Sequence, residues 1–109
     1  MKSKMVKVKN EKIAWEEKGD RVIGTIAMDE ETANIDIPVE LQSEFKKNAL
    51  EILSAFSHAV RANRPLQIGS FGFWLDDEGW HFTSWDEVDE IQKILSVMFD
   101  KAAHHAHNA

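Results

Sequence analysis

Cysteine and tyrosine are both absent from this 109-residue chain, and proline occurs only twice. Without cysteine there is no disulfide framework, no thiolate zinc site, no iron–sulfur cluster and no cysteine nucleophile. The same lack fits a reducing compartment, and a cytoplasmic location is the expectation. No window approaches the roughly 20 apolar residues a membrane-spanning helix needs, and the lysines of the opening MKSKMVKVKNEK have no apolar run behind them to make a secretory signal. No membrane partner and no signal-directed export are therefore expected. Lysine and arginine are missing from Leu66 to Gln92, a stretch that nonetheless holds six of the ten aromatic residues and three of the five glycines.

What is present is the composition of an ordinary globular chain, 43% hydrophobic and 29% charged, long enough for one domain to bury its core without staples. The net charge of −6 is unevenly spread. Residues 1–12 carry five lysines against Glu11, or +4, and residues 13–109 carry 18 acids against 8 bases, or −10. Residues 1–11 read as a basic leader, solvated and frayed. Residues 12–103 read as a single α+β domain, and residues 104–109 as a frayed tail containing histidines. An acidic body repels phosphate backbones, which disfavours nucleic acid as a partner and favours a basic protein surface.

Along the chain, Lys12–Trp15 and Arg21–Met28 are strand-like runs around the turn-forming Glu17-Lys18-Gly19-Asp20, and a third strand carries Ile35 and Ile37. Val22, Ile26 and Met28 share one face of the second run, and Ile23, Thr25 and Ala27 the other. Pro38 suits the first position of a long helix whose buried face is Leu41, Phe45, Ala49, Ile52, Leu53, Phe56 and Val60, ending at Asn63-Arg64-Pro65. Leu66–Leu75 and Trp80–Thr83 then form a hairpin around Asp76-Asp77-Glu78-Gly79. In that register Phe71, Phe73, Leu75, Trp80 and Phe82 share the core face, while Gly72, Trp74, His81 and Thr83 share the other. Ser84-Trp85-Asp86-Glu87 matches a capping box and predicts a last helix with Val88, Ile91, Ile94, Leu95, Met98, Phe99 and Ala102 as its apolar stripe. The expected fold is α+β, in the order βββ-α-ββ-α, a mostly antiparallel sheet with the two helices packed on one face. That order resembles the strand and helix order of small acidic dimeric secretion chaperones, although the leading helix of that family is missing here. The resemblance implies a dimeric, chaperone-like adaptor.

No group of residues assembles a conventional active site, so no catalytic residue, no cofactor and no metal are expected. Asp100, His104 and His107 could line one helical face, but a metal site needs rigid positioning and outer partners that a terminus rarely supplies. Gly69-Ser70-Phe71-Gly72 lacks the lysine and helix entry of a phosphate cradle, and its glycines read instead as relief of crowding beside large rings or as a bulge. Ser57 and His58 are adjacent on a helix, so their side chains diverge by about 100° and cannot act on each other. Asp76, Asp77 and Glu78 lack the spaced ligands of a calcium loop.

The expectation is a small non-catalytic, cytoplasmic protein-binding or regulatory protein, a homodimer that engages a protein partner through Trp74, His81 and Trp15 with Asp76, Asp77 and Glu78 as an acidic rim. Chains of this size and composition also suit accessory factors of phages and other mobile elements. The alternative is a single-stranded nucleic-acid-binding protein whose Lys4, Lys7 and Lys9 gather phosphates while Trp74 and Trp80 stack on bases. A third reading is an acidic decoy that imitates nucleic acid.

Overall fold

The computed structural model describes residues 4–8 and 10–96. Lys9, Met98, Phe99, Ala102 and the candidate ligands Asp100, His104 and His107, with the whole 104–109 tail, lie outside the described residues. Seven strands, β1 (Lys4–Val8), β2 (Glu11–Lys18), β3 (Arg21–Met28), β4 (Glu31–Pro38), β5 (Leu66–Ile68), β6 (Phe71–Asp76) and β7 (Gly79–Ser84), form one sheet in the order β1-β2-β3-β4-β7-β6-β5. Every neighbouring pair is antiparallel except β4 and β7, which run parallel. Between β4 and β5 come a 3₁₀ turn (Val39–Leu41) and two helices, α1 (Gln42–Lys47) and α2 (Ala49–Ala62); a second 3₁₀ turn (Trp85–Glu87) follows β7, and residues 90–96 are helical, here α3.

The fold is α+β and mostly antiparallel, as the sequence implies, with two more strands than expected. Residues 4–8 of the basic leader are a strand of the sheet, paired to β2 from Lys4 opposite Trp15 to Val8 opposite Glu11. The expected Leu66–Leu75 strand is two strands, because Gly69 adopts a φ of +58° and reverses the chain. That turn is tied down from outside: the backbone N–H and the hydroxyl of Ser70 both donate to the Glu44 carboxylate, at 3.3 and 3.1 Å. Pro38 does not open the helix. It ends β4 in an extended conformation, and the long helix is broken at Asn48, whose side-chain amide donates to the carbonyl of Glu44 at 2.9 Å. Helix α2 stops where the sequence says it should. Asn63 takes the left-handed conformation and the Arg64 N–H reaches back to the Ala59 carbonyl at 3.3 Å, a Schellman-type end.

Residues directly opposite one another share a sheet face, so the register sorts the core. Trp15, Ile35, Phe82 and Phe73 lie along one row, and Ile13, Ile26, Ala33 and Trp80 along the next. These rows face α1 and α2. Phe45 of α1 meets Trp15 edge-on at 5.0 Å, and Phe56 of α2 stacks on Phe73 at 5.0 Å and meets Trp80 edge-on at 6.0 Å. Offset and edge-to-face ring pairs of this kind add to the burial of each ring. The hairpin expected around Asp76–Gly79 has the anticipated register, Leu75 opposite Trp80, Trp74 opposite His81 and Phe73 opposite Phe82.

The chain after β7 departs from the expected two helices on one face. Trp85 and Val88 pack over Gly72, on the sheet face opposite α2, where a Cβ at position 72 would lie 2.4 Å from the indole of Trp85. Among the described residues, no helix is long and apolar enough to cross a membrane.

Candidate functional site

The face of the sheet turned away from α2 carries Trp74, His81, Thr83 and Asp36 toward one end and Met5, Ala14, Ile23, Thr25, Ala27, Lys7 and Lys12 toward the other. Period-2 alternation puts them there, since each is one residue out of step with a core position. Trp74 and His81 form a cross-strand stack with ring centroids 4.3 Å apart and planes 23° off parallel. The indole N–H of Trp74 donates to the Thr83 hydroxyl at 3.1 Å, and that hydroxyl donates to the Ser84 carbonyl at 3.1 Å. His81 Nε2 lies 2.8 Å from Asp76 Oδ1, which also accepts the Glu78 N–H at 2.8 Å. The bond from His81, helped by backbone N–H donors, holds the Asp76 carboxyl below the usual carboxylate range. Asp76, Asp77 and Glu78 are exposed at the hairpin tip, so Trp74, His81 and the three acids do gather in one place.

The other predicted site residues do not join them. Trp15 is buried among the helix-facing residues with its indole N–H donating to Gln42 Oε1 at 3.2 Å. Its side chain is therefore on the far side of the sheet from Trp74 and His81. Trp80 is likewise buried in the core against Phe56, and a base could reach it only if the hairpin opened. Lys4 sits on the helix side, where its ammonium donates to Gln42 Oε1 at 3.3 Å and lies 3.8 Å from Glu17. Of the nucleic-acid residues, Lys7 and Trp74 share the open face, at opposite ends of it.

Two features escaped sequence reasoning. Arg21, on the open side, binds Asp36 Oδ1 through Nε at 2.8 Å and grips both oxygens of Glu87 at 3.0 and 2.9 Å. Hydrogen bonds to Glu87 and then Asp36 raise its already high pKa further. This grip takes Glu87 away from the capping box. Ser84 makes no side-chain cap bond, Trp85–Glu87 is a 3₁₀ turn, and Val88 is extended. The helix starts afresh after Asp89, whose Oδ1 accepts the Ile91 N–H at 2.8 Å as an N-cap does.

The later start rotates the helix. The predicted buried stripe faces outward instead, with Ile91 66%, Ile94 56% and Leu95 37% exposed, while Ser96 is buried and the Gln92 amide donates to the Leu75 carbonyl at 3.1 Å. Val88 alone of that stripe's described members is buried. The signal that could have found this is the pairing of Asp89 with polar Gln92 and Ser96 at three- and seven-residue spacing.

Elsewhere, a hollow of about 700 Å³ between the β3–β4 turn and α2 is lined by Glu11, Asp29, Glu30, Glu31 and Arg61, with Ser57 as its hydroxyl. Its acids are spread around an open rim. Among the described residues no cluster of histidines and carboxylates could hold a metal ion. The chain matches no protein-family model, no curated protein and no solved structure.

Proposed function

We propose that this chain is a small non-catalytic protein-binding module, a cytoplasmic regulatory or adaptor protein that engages its partner through the open side of the sheet. The observation that carries the reading is the outward stripe of Ile91, Ile94 and Leu95, on a helix that Gln92 ties to Leu75, the neighbour in sequence of Trp74 in the Trp74–His81 stack. Three aliphatic side chains spaced by three and four on one helix are a recurrent form of helix-in-groove or helix-on-sheet contact. Their exposure costs free energy that docking recovers, and large apolar groups at the centre of an interface, with acids at the rim, match the distribution seen in protein complexes. Asp76, Asp77, Asp86 and Glu90 supply such a rim.

The test is affinity capture from native lysate with the wild-type chain and with the Ile91→Glu/Ile94→Glu variant, each with and without nuclease, followed by mass spectrometry. A specific protein that survives nuclease and is lost by the folded variant supports the reading. Recovery that vanishes with nuclease transfers the function to nucleic-acid binding, and equal recovery by wild type and variant removes α3 from the interface.

A further inference from the structure

We propose that the partner of this open side is a second copy of the same chain, with α3 of each protomer seated on the β1–β4 half of the other's sheet. The inference rests on the protein-binding reading above and specifies its occupant. On the open side the sheet is covered unequally. Over β6 and β7 the chain covers itself, with Trp85 and Val88 on Gly72 and Gln92 bonded to Leu75. Over β1–β4, Ala14, Ile23, Thr25 and Ala27 keep part of their surface in solvent, and Met5 is 61% exposed. These are small or aliphatic residues, and a hollow of about 230 Å³ lined on this face by Ala14, Ile23, Thr25 and the side chain of Glu16 lies among them. One half of the face thus projects an aliphatic stripe, and the other half offers a shallow patch of Ala14, Ile23, Thr25 and Ala27 bordered by Glu16, Thr32 and Asn34.

Charge selects a second copy over other occupants. Lys7 and Lys12 stand directly opposite each other on β1 and β2, on the open face, and neither makes a hydrogen bond or ion pair among the described residues. Like charges facing each other across a strand pair are mildly unfavourable, and an anion brought against them would relieve that repulsion. The start of α3 supplies the complementary set. Glu90 and, in the 3₁₀ turn just before it, Asp86 are exposed; among the described residues Glu90 is held only by a 3.4 Å contact with Lys93, while Glu87 is already occupied by Arg21. A two-fold axis that brings the acidic start of one α3 to the partner's Lys7 and Lys12 makes the same contact a second time, because the interface of a two-fold dimer is self-complementary. The aliphatic stripe then falls on the patch of Ala14, Ile23, Thr25 and Ala27 in both directions.

The experiment is sedimentation equilibrium on the full chain and three variants, with circular dichroism to confirm that each is folded. The wild type is expected to dimerise and to weaken as salt rises from about 0.05 to about 0.5 M, since exposed ion pairs are screened. Ile91→Glu/Ile94→Glu is expected to be monomeric. Lys7→Glu/Lys12→Glu and Asp86→Lys/Glu90→Lys are each expected to dimerise at least about tenfold more weakly, or about 1.4 kcal/mol. Mixing those two charge-reversed variants is expected to restore dimerisation as a heterodimer, because both contacts become complementary again. A wild-type monomer overturns the proposal, and so does a dimer indifferent to all three variants or a mixture that stays monomeric. A monomeric wild type that still captures a lysate protein, lost in Ile91→Glu/Ile94→Glu, overturns only this inference and leaves the protein-binding reading standing.

Discussion

Replacing Gly72 by alanine probes the contact that holds the end of the chain on the open face. The added methyl would lie 2.4 Å from Cε3 and 2.8 Å from Cζ3 of Trp85, and 3.2 Å from Cγ2 of Val88. Comfortable carbon–carbon separation is about 3.5–4.0 Å, so the indole must retreat by about 1 Å or more. It is poorly free to do so: the Trp85 N–H donates to the Ser70 carbonyl at 2.8 Å, the Val88 N–H donates to the Trp85 carbonyl at 3.2 Å, and Glu87 is clamped by Arg21. Overpacking of this kind costs about 1–3 kcal/mol, offset by about 0.4–1 kcal/mol from the smaller entropy of an unfolded chain with alanine in place of glycine. Midrange values leave an expected net loss of about 1 kcal/mol, read as a lower urea midpoint. The control is the same substitution in a Trp85→Ala background, where the obstacle is gone. There Gly72→Ala should be close to neutral, giving a coupling of at least about 0.5 kcal/mol across the cycle. Wild-type stability for Gly72→Ala, or an equal penalty in both backgrounds, would refute the packing of Trp85 against this strand.

Three further outcomes follow from the geometry. Phe73→Ala should cost about 3–5 kcal/mol of stability, because its fully buried ring lies between Phe56 and Phe82, whereas Trp74→Ala on the half-exposed face should cost at least about 1 kcal/mol less and weaken association instead; chemical denaturation of both measures the difference. Because the Asp76 carboxyl is held below its unfolded value, its stabilisation is fully present above the ordinary carboxylate range and is lost as pH falls through the folded value. The stability gap between wild type and Asp76→Asn should therefore close as pH falls through the acid range, which urea midpoints across that range would show. Arg21→Ala should cost only about 1 kcal/mol or less, since its partners are well exposed and screened, but it should speed hydrogen exchange at the Val88 amide; Arg21→Lys should not restore protection, because an ammonium cannot span both Glu87 oxygens and Asp36.

Much of the fold was readable one element at a time, and the misreadings share a cause. The β6–β7 register could be read because turn residues and alternation fix which side chains lie opposite, and both are local. The end of α2 was readable from Asn63-Arg64-Pro65 for the same reason. The face of Trp15 was not, since Ile13/Trp15 and Ala14/Glu16 are both self-consistent alternations. Pairing with β3 decides it, where Gly24, directly opposite Trp15, lets the two backbones approach to within what a Cβ would occupy. The Leu66–Leu75 run reads as one strand until Glu44, 26 residues away, captures Ser70 and stabilises the turn at Gly69.

The last helix shows the division most sharply. By itself, the sequence of residues 84–95 determines that a helix forms and which side chains make its apolar stripe, because capping and period 3.6 are properties of neighbouring residues. The capping box puts its start at Ser84, whereas the structure puts it after Asp89. Only the tertiary structure chooses between them, through Arg21, which lies 66 residues from Glu87 in the chain and removes it from the first cap. That choice turns Ile91, Ile94 and Leu95 from core into surface, since moving the start of a helix rotates every residue after it.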